Sequence, residues 1–174
     1  MDQSHDCPEL EAHSVQARSN THQLDDTIVD ISGQRRHDLG IERGLTMNRN
    51  IQTDKAPPSF SHYAQAVEVP ANAKTVYVSG QVGAELDGRV PDDMAKQHEL
   101  AWKNVFAILN ETGMSKTDIV DVFAIVTTRD GVKTFREVRD KMFEGHLAGS
   151  TIMIGGLASA DWKIEIAVRA ARTG

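Results

Sequence analysis

Hydrophobic and polar residues alternate most regularly near the C-terminus. Over Trp162–Ala171, Lys163, Glu165, Ala167 and Arg169 fall to one side and Ile164, Ile166, Val168 and Ala170 to the other. A period of two marks a strand with one buried face. The run Thr151–Leu157 precedes it, separated by Ala158-Ser159-Ala160-Asp161, and is predicted to be a second strand. Gly155-Gly156 falls inside that run, where glycine suggests a bulge or a close backbone approach rather than a phosphate loop. Upstream, Ala64–Val69 and Thr75–Val82 read as strands flanking a turn at Pro70-Ala71-Asn72-Ala73, and Asp87-Gly88 marks another turn. From Pro91 the period changes: Met94, Ala95, His98, Trp102, Val105, Phe106 and Leu109 recur at three and four, as in an amphipathic helix. Asp92 and Asp93 are placed in its first turn and Gly113 at its end. Val120–Thr127 is a buried strand, and Val132, Phe135, Val138 and Met142 define a second helix with Asp130 as N-cap.

The predicted order is β-β-α-β-α-β-β, an α+β fold. Helical crossovers imply a partly parallel sheet with both helices on one face. The other face then needs a cover, which association between copies of the chain supplies.

Residues 1–57 differ from the rest. They are rich in Ser, Thr, His, Asp, Gln and Arg, and only Thr27–Ile31 resembles a strand nucleus. So few apolar residues cannot offset the entropy of ordering, so 1–57 is predicted to be a disordered extension and 58–174 the folded domain. Met47 is a candidate translation start within that extension. The 174 residues suit one core. A net charge of -6 argues against nucleic acid as partner. Cys7, the single cysteine, permits neither an intrachain disulfide nor a cysteine-based metal site. No apolar run is long enough to span a bilayer and no secretory signal opens the chain, so a cytoplasmic protein without membrane partners is expected. No Ser-His-Asp order, P-loop or metal-ligand spacing is visible.

Tyr77-Val78-Ser79-Gly80-Gln81-Val82 and Lys163-Ile164-Glu165-Ile166, set in this order of elements, resemble the RidA/YjgF family of reactive-intermediate deaminases over roughly residues 58–172. The resemblance implies a chorismate-mutase-like fold, a homotrimer with sites in the clefts between subunits, and hydrolysis of small enamines or imines with release of ammonia. It implies no metal and no organic cofactor. An imine carbon is already electrophilic, so such catalysis needs a positioned water, a proton carrier and a substrate anchor.

Carried over residue by residue, the resemblance assigns Glu165 to the glutamate that holds the attacking water. Ser79 and Gly80 take the serine and glycine that face the cleft, and Tyr63 the aromatic residue near the first strand. Ser150 is the departure: it stands where imine deaminases carry an arginine that grips the substrate carboxylate, with Thr151 next and Ile152 at a common cysteine position. A guanidinium makes two parallel charge-assisted bonds to a carboxylate and a serine cannot, so the usual amino-acid-derived substrates are in doubt. Arg169, on the same strand face as Glu165, is a candidate relocated anchor.

Each residue also has a plainer reading. Glu165 can be a solvated carboxylate, Ser79-Gly80 a strand-end turn, Tyr63 interface packing and Arg169 an exposed strand arginine. His98 reads as a core or edge histidine rather than a base, and His146 as a loop histidine near Ser150. The functional expectation is therefore a cofactor-free hydrolytic deaminase of a small-molecule substrate. Its rival is a non-catalytic metabolite-binding or scaffold protein of the same fold. A ribonuclease reading is disfavoured by the acidic charge.

Overall fold

A computed structural model describes residues 47–174. Cys7, the Thr27–Ile31 nucleus and the expected disorder of the first 46 residues lie outside them. Strands β3 (Lys74–Val82), β4 (Ile119–Val126), β5 (Gly149–Ile154) and β6 (Ile164–Arg172) form one sheet in the order β3-β6-β4-β5. β6 runs antiparallel to both β3 and β4, and β4 runs parallel to β5. Helices α1 (Met94–Glu111) and α2 (Arg129–Phe143) pack on one face. The core joins Ile164, Ile166, Val168 and Ala170 of β6 and Val122, Ala124 and Val126 of β4 to Trp102, Val105, Leu109, Phe135 and Phe143 of the helices. The Trp102 ring lies 4.9 Å from Phe143 and 6.0 Å from Phe135, centroid to centroid. The predicted sides of β6 are therefore the observed ones.

Other boundaries move for identifiable reasons. The folded part begins before residue 58, because Arg49–Ile51 forms β1 and pairs antiparallel with β2 (Ala66–Glu68). Arg49 Nε donates to Glu68 Oε2 at 2.8 Å, and Asn48 Nδ2 donates to the Ala171 carbonyl at 2.7 Å. The first predicted strand thus joins a separate two-stranded sheet rather than the main one. β6 starts at Ile164 rather than Trp162 because the Lys163 backbone is engaged elsewhere: its N–H donates to Gln97 Oε1 at 2.8 Å, and its carbonyl accepts from Thr127 N. β5 stops at Ile154, so Gly155-Gly156 lies beyond the strand; Gly155 N makes the last bond, to the Val126 carbonyl where β4 itself ends. Asp93 is the N-cap of α1, its Oδ1 accepting from Lys96 N at 2.7 Å. For α2 the cap is Thr128 rather than Asp130, with Oγ1 accepting from Gly131 N at 3.1 Å. Gly113 does end α1, at φ +77°, where other residues are strained.

Fully buried Gln97 ties α1 to the loop before β6. Its Nε2 donates to the carbonyls of Pro91 (2.7 Å) and Asp161 (2.9 Å) while Oε1 accepts from Lys163. Replacement by leucine removes the partner of three partly buried backbone hydrogen bonds, at Pro91, Asp161 and Lys163. Gln97→Leu is expected to lose about 2–4 kcal/mol of stability in chemical denaturation; an unchanged midpoint would show that water or relaxation replaces the bonds.

Candidate functional site

The pairing of β3 with β6 is interrupted at one point. Val78 lies opposite Val168 and Gln81 opposite Ile166, so Ser79 and Gly80 together face Ala167. Two residues against one is a bulge, which breaks the ladder and re-aims local groups. Ser79-Gly80 is accordingly mid-strand, not a strand-end turn. Glu165, between Val82 on one neighbour and Ile125 on the other, folds its side chain over this point. A Cβ on Gly80 would lie 1.9 Å from Glu165 Oε1 and 2.7 Å from its carboxyl carbon. Only a bare α-carbon lets the carboxylate rest there. Gln81 Nε2 donates to the carbonyls of Ser79 and Gly80 at 3.1 and 3.2 Å, which closes the bulge from behind. Glu165 is half-buried and, among the described residues, has neither a hydrogen-bond donor nor an ion-pair partner.

Arg169 shares that sheet face, but the structure does not bring it to Glu165. Its Nη1 pairs with Asp121 Oδ2 across β4, and its guanidinium carbon lies 5.9 Å from the centre of the Tyr77 ring. Four residues of strand separate it from Glu165, roughly 13 Å. With Phe123, Ala167 and Tyr77 it borders a shallow hollow of about 200 Å³.

A second group forms elsewhere. Ser150 and Ile152 lie opposite Val122 and Ala124, on the helix-covered side of β5, whereas Thr151 lies opposite Phe123 on the bare side. Tyr63, Ser150 and Ile152 line one cavity of about 180 Å³ with Phe60, Arg136 and Arg139. The Ala64 N–H donates to the Ala148 carbonyl at 3.0 Å and pins the Tyr63 loop against the start of β5. Tyr63 Oη accepts from Phe60 N at 3.4 Å. The Ser150 hydroxyl is buried and has no partner. So Ser79, Gly80 and Glu165 come together, and so do Tyr63, Ser150 and Ile152. In one chain the two groups stand on opposite sheet faces, Glu165 opposite Ile125 and Ser150 opposite Val122, so that two strand spacings and three residues of strand separate them, roughly 14 Å.

Arg139 was not among the candidates from sequence. It is 2% exposed, although it belongs to a helix whose other charges face water. Its position four residues after Phe135 and seven after Val132 puts it on the apolar stripe of α2, and that spacing is the signal that could have found it.

His98 and His146 have structural roles. His146 Nε2 bonds the Ile119 carbonyl at 2.8 Å and its ring packs 5.7 Å from Phe143, away from Ser150's cavity. His98 is fully buried with Nδ1 on the Met94 carbonyl at 2.7 Å.

These two groups can be set beside known proteins. A family profile described as endoribonuclease L-PSP matches residues 53–172. The chain belongs to the RidA/YjgF family. Among RidA/YjgF relatives, the 2-iminobutanoate/2-iminopropanoate deaminase of Escherichia coli (strain K12) is 30% identical over 131 residues, covering 72% of this chain and 99% of the relative. The Mus musculus protein of the same name is 31% identical over 99 residues, covering 56% and 71%. Among solved structures, the Rid family protein YyfB of Yersinia pestis, whose function is unknown, superposes with a TM-score of 0.63 at 25% identity, covering 71% of this chain and 97% of that one. E. coli TdcF with bound serine superposes at 0.55 and 28% identity, covering 72% and 99%. The fold is that of the Rid proteins, and the matched span holds both groups of residues.

Burial lowers the pKa of His98 from its usual 6.5 and outweighs the opposing backbone hydrogen bonds. Below about pH 6.5 the unfolded chain takes up a proton that the folded chain refuses. This contribution to stability is thus complete above that pH and is lost as pH falls toward the folded value. Between pH 7.5 and 5.5 the denaturation midpoint is expected to drop, by at most about 1.4 kcal/mol per pH unit from this residue, and less in His98→Gln. Parallel pH profiles for the two proteins would contradict it.

Proposed function

We propose that this RidA/YjgF protein is a cofactor-free hydrolytic deaminase that converts a small enamine or imine to a carbonyl compound and ammonia in clefts between copies of the chain. The observation that carries the reading is the Glu165 carboxylate, unengaged and held over Gly80 on the sheet face that no helix covers. In this reading Glu165 accepts a proton from a water whose oxygen adds to the imine carbon. Glu165 returns that proton to the nitrogen to give a carbinolamine, then carries the hydroxyl proton to the same nitrogen as the C=O bond forms, the C–N bond breaks and ammonia leaves. The Ser79 hydroxyl and the Gly80 N–H orient the substrate. The bare face carries Tyr77, 73% exposed, and Met153, 49% exposed, with Phe123 between their strands. Apolar groups on such a face suit a neighbouring copy, and three copies, as the resemblance implies, would carry one chain's Glu165 toward another's Ser150. The deaminase names of the relatives support the chemistry.

The rival reading, a metabolite-binding or scaffold protein without turnover, is favoured by one feature: Ser150 offers no charge to a carboxylate.

Ammonia release from freshly generated imines, 2-iminobutanoate among them, tests the proposal. Glu165→Gln is expected to lower the rate by about 10²–10⁴, the usual contribution of a general base. Gly80→Ala is expected to displace the Glu165 carboxylate, the mobile end of a side chain, and to lower the rate at least about ten-fold with little change in denaturation midpoint. Equal rates for wild type and Glu165→Gln on every imine remove the proposal, and a ligand that stabilises the protein without being consumed supports the rival.

A further inference from the structure

The bulge at Ser79-Gly80 is approached from both faces of the sheet. Residues directly opposite on antiparallel strands share a face. Gln81 lies opposite Ile166, a core residue, and so stands on the helix-covered side, whereas the Glu165 carboxylate rests over Gly80 from the bare side. Strand β3 is anchored on either side of the interruption. Upstream, Val78 pairs with Val168. Downstream, Val82 pairs with Glu165, and Asn104 Nδ2 of α1 donates to the Val82 and Ala84 carbonyls at 3.1 and 3.0 Å. Between these anchors Ser79 and Gly80 stand outside the ladder register, and glycine has no Cβ to oppose rotation of the peptides on either side of it. The carbonyls of those two peptides are both held by one group, Gln81 Nε2, at 3.1 and 3.2 Å. Each is thereby drawn toward the helix side. Turned the other way, a carbonyl oxygen would set its negative end against the Glu165 carboxylate and push it aside. Glu165 has no hydrogen-bond or ion-pair partner of its own to resist that, so the backbone beneath it decides where its carboxylate lies.

We infer that Gln81 is a positioning residue for Glu165, its amide keeping the bulge in the conformation that leaves the carboxylate room over Gly80. It acts through the backbone and touches no reacting atom. A primary amide suits the task because its NH2 carries two donors, one for each carbonyl. Glutamate has the same length and, when ionised, no donor; methionine is similar in length and has none either. Removing the amide costs little stability, because both bonds are solvent-exposed and water replaces them. What is lost is order at the bulge. That Gln81 orders the bulge stands alone; that this order serves hydrolysis rests on the deaminase reading.

Gln81→Met and Gln81→Glu in the full chain test the inference by two readouts. In amide relaxation-dispersion NMR, Gly80 and Gln81 are expected to be quiet in the wild type. In both variants the amides of Gly80 and residue 81 are expected to show microsecond-to-millisecond exchange, with Val168 unchanged. In ammonia release from the imine that the wild type turns over fastest, kcat is expected to fall about ten-fold or more while KM moves less than about two-fold. The denaturation midpoint stays close to that of the wild type, which separates misplacement of a base from general loss of structure. If Gln81→Met fails to fold, Gln81→Glu decides alone. Bulge amides as quiet in the variants as in the wild type overturn the inference. Exchange that appears in the variants of a wild-type protein releasing no ammonia upholds the ordering role and removes the deaminase reading. Ammonia release with unchanged kcat in the variants removes the positioning role and leaves that reading standing.

Discussion

Helices cover only one side of the four-stranded sheet, and the rest of the structure follows from that asymmetry. On the covered side, the inward residues of β4 and β6 pack against Trp102, Leu109, Phe135 and Phe143, and this core fixes the register of these two strands. Fixing the register also fixes what points the other way, since a shift of one residue would exchange the two faces. Glu165, Arg169, Asp121, Phe123 and Tyr77 share the uncovered side because Ile164, Ile166, Val168 and Val122 occupy the covered one. The chemistry of the bare face is thus a consequence of the packing of the other.

Two local devices turn that geometry toward a site. The bulge at Ser79-Gly80 removes a side chain where the Glu165 carboxylate needs to lie, so acid and backbone share one spot. At the far edge, β5 directs Ser150 and Ile152 inward, beneath the loop that carries Tyr63 and beside Arg139 of α2. Neither group alone holds what the proposed imine hydrolysis needs: the first has a free carboxylate, and the second has the Tyr63 and Ser150 hydroxyls but no free carboxylate. Arg169 does not bridge them, being held by Asp121 and Tyr77.

Much of this was legible in the sequence wherever burial follows a simple period. The two faces of β6 and the stop at Gly113 are local patterns and match the structure; the stripe of α1 matches at His98, Trp102, Val105 and Leu109, whereas Ala95 is exposed and Gln97, Leu100 and Ala101 are buried. β1 was not, because three residues of sequence RNI carry no period and are held by pairing with β2 and by Asn48 reaching Ala171. The ends of β5 and β6 depend on where β4 runs out and on Gln97 capturing Lys163, contacts between residues distant in the chain. The resemblance brought Ser79, Gly80, Glu165, Tyr63 and Ser150 into view together, but not their separation across the sheet, which only register reveals. Arg139 escaped because a charged residue on an apolar stripe reads as solvent-facing until Asp140 and Ser61 are seen to hold it.

The central proposal is that a working site combines Glu165 of one copy with Ser150 and the cavity it lines in another. Subunit mixing tests it most directly: Glu165→Gln chains and Arg139→Lys,Ser150→Ala chains, each inactive alone, are unfolded together, refolded and assayed for ammonia release. If the halves come from different copies, the mixture recovers activity at about a quarter of the wild-type sites, the statistical share for random assembly. A mixture no more active than its parents would mean that both groups act within one chain, or that no shared site exists.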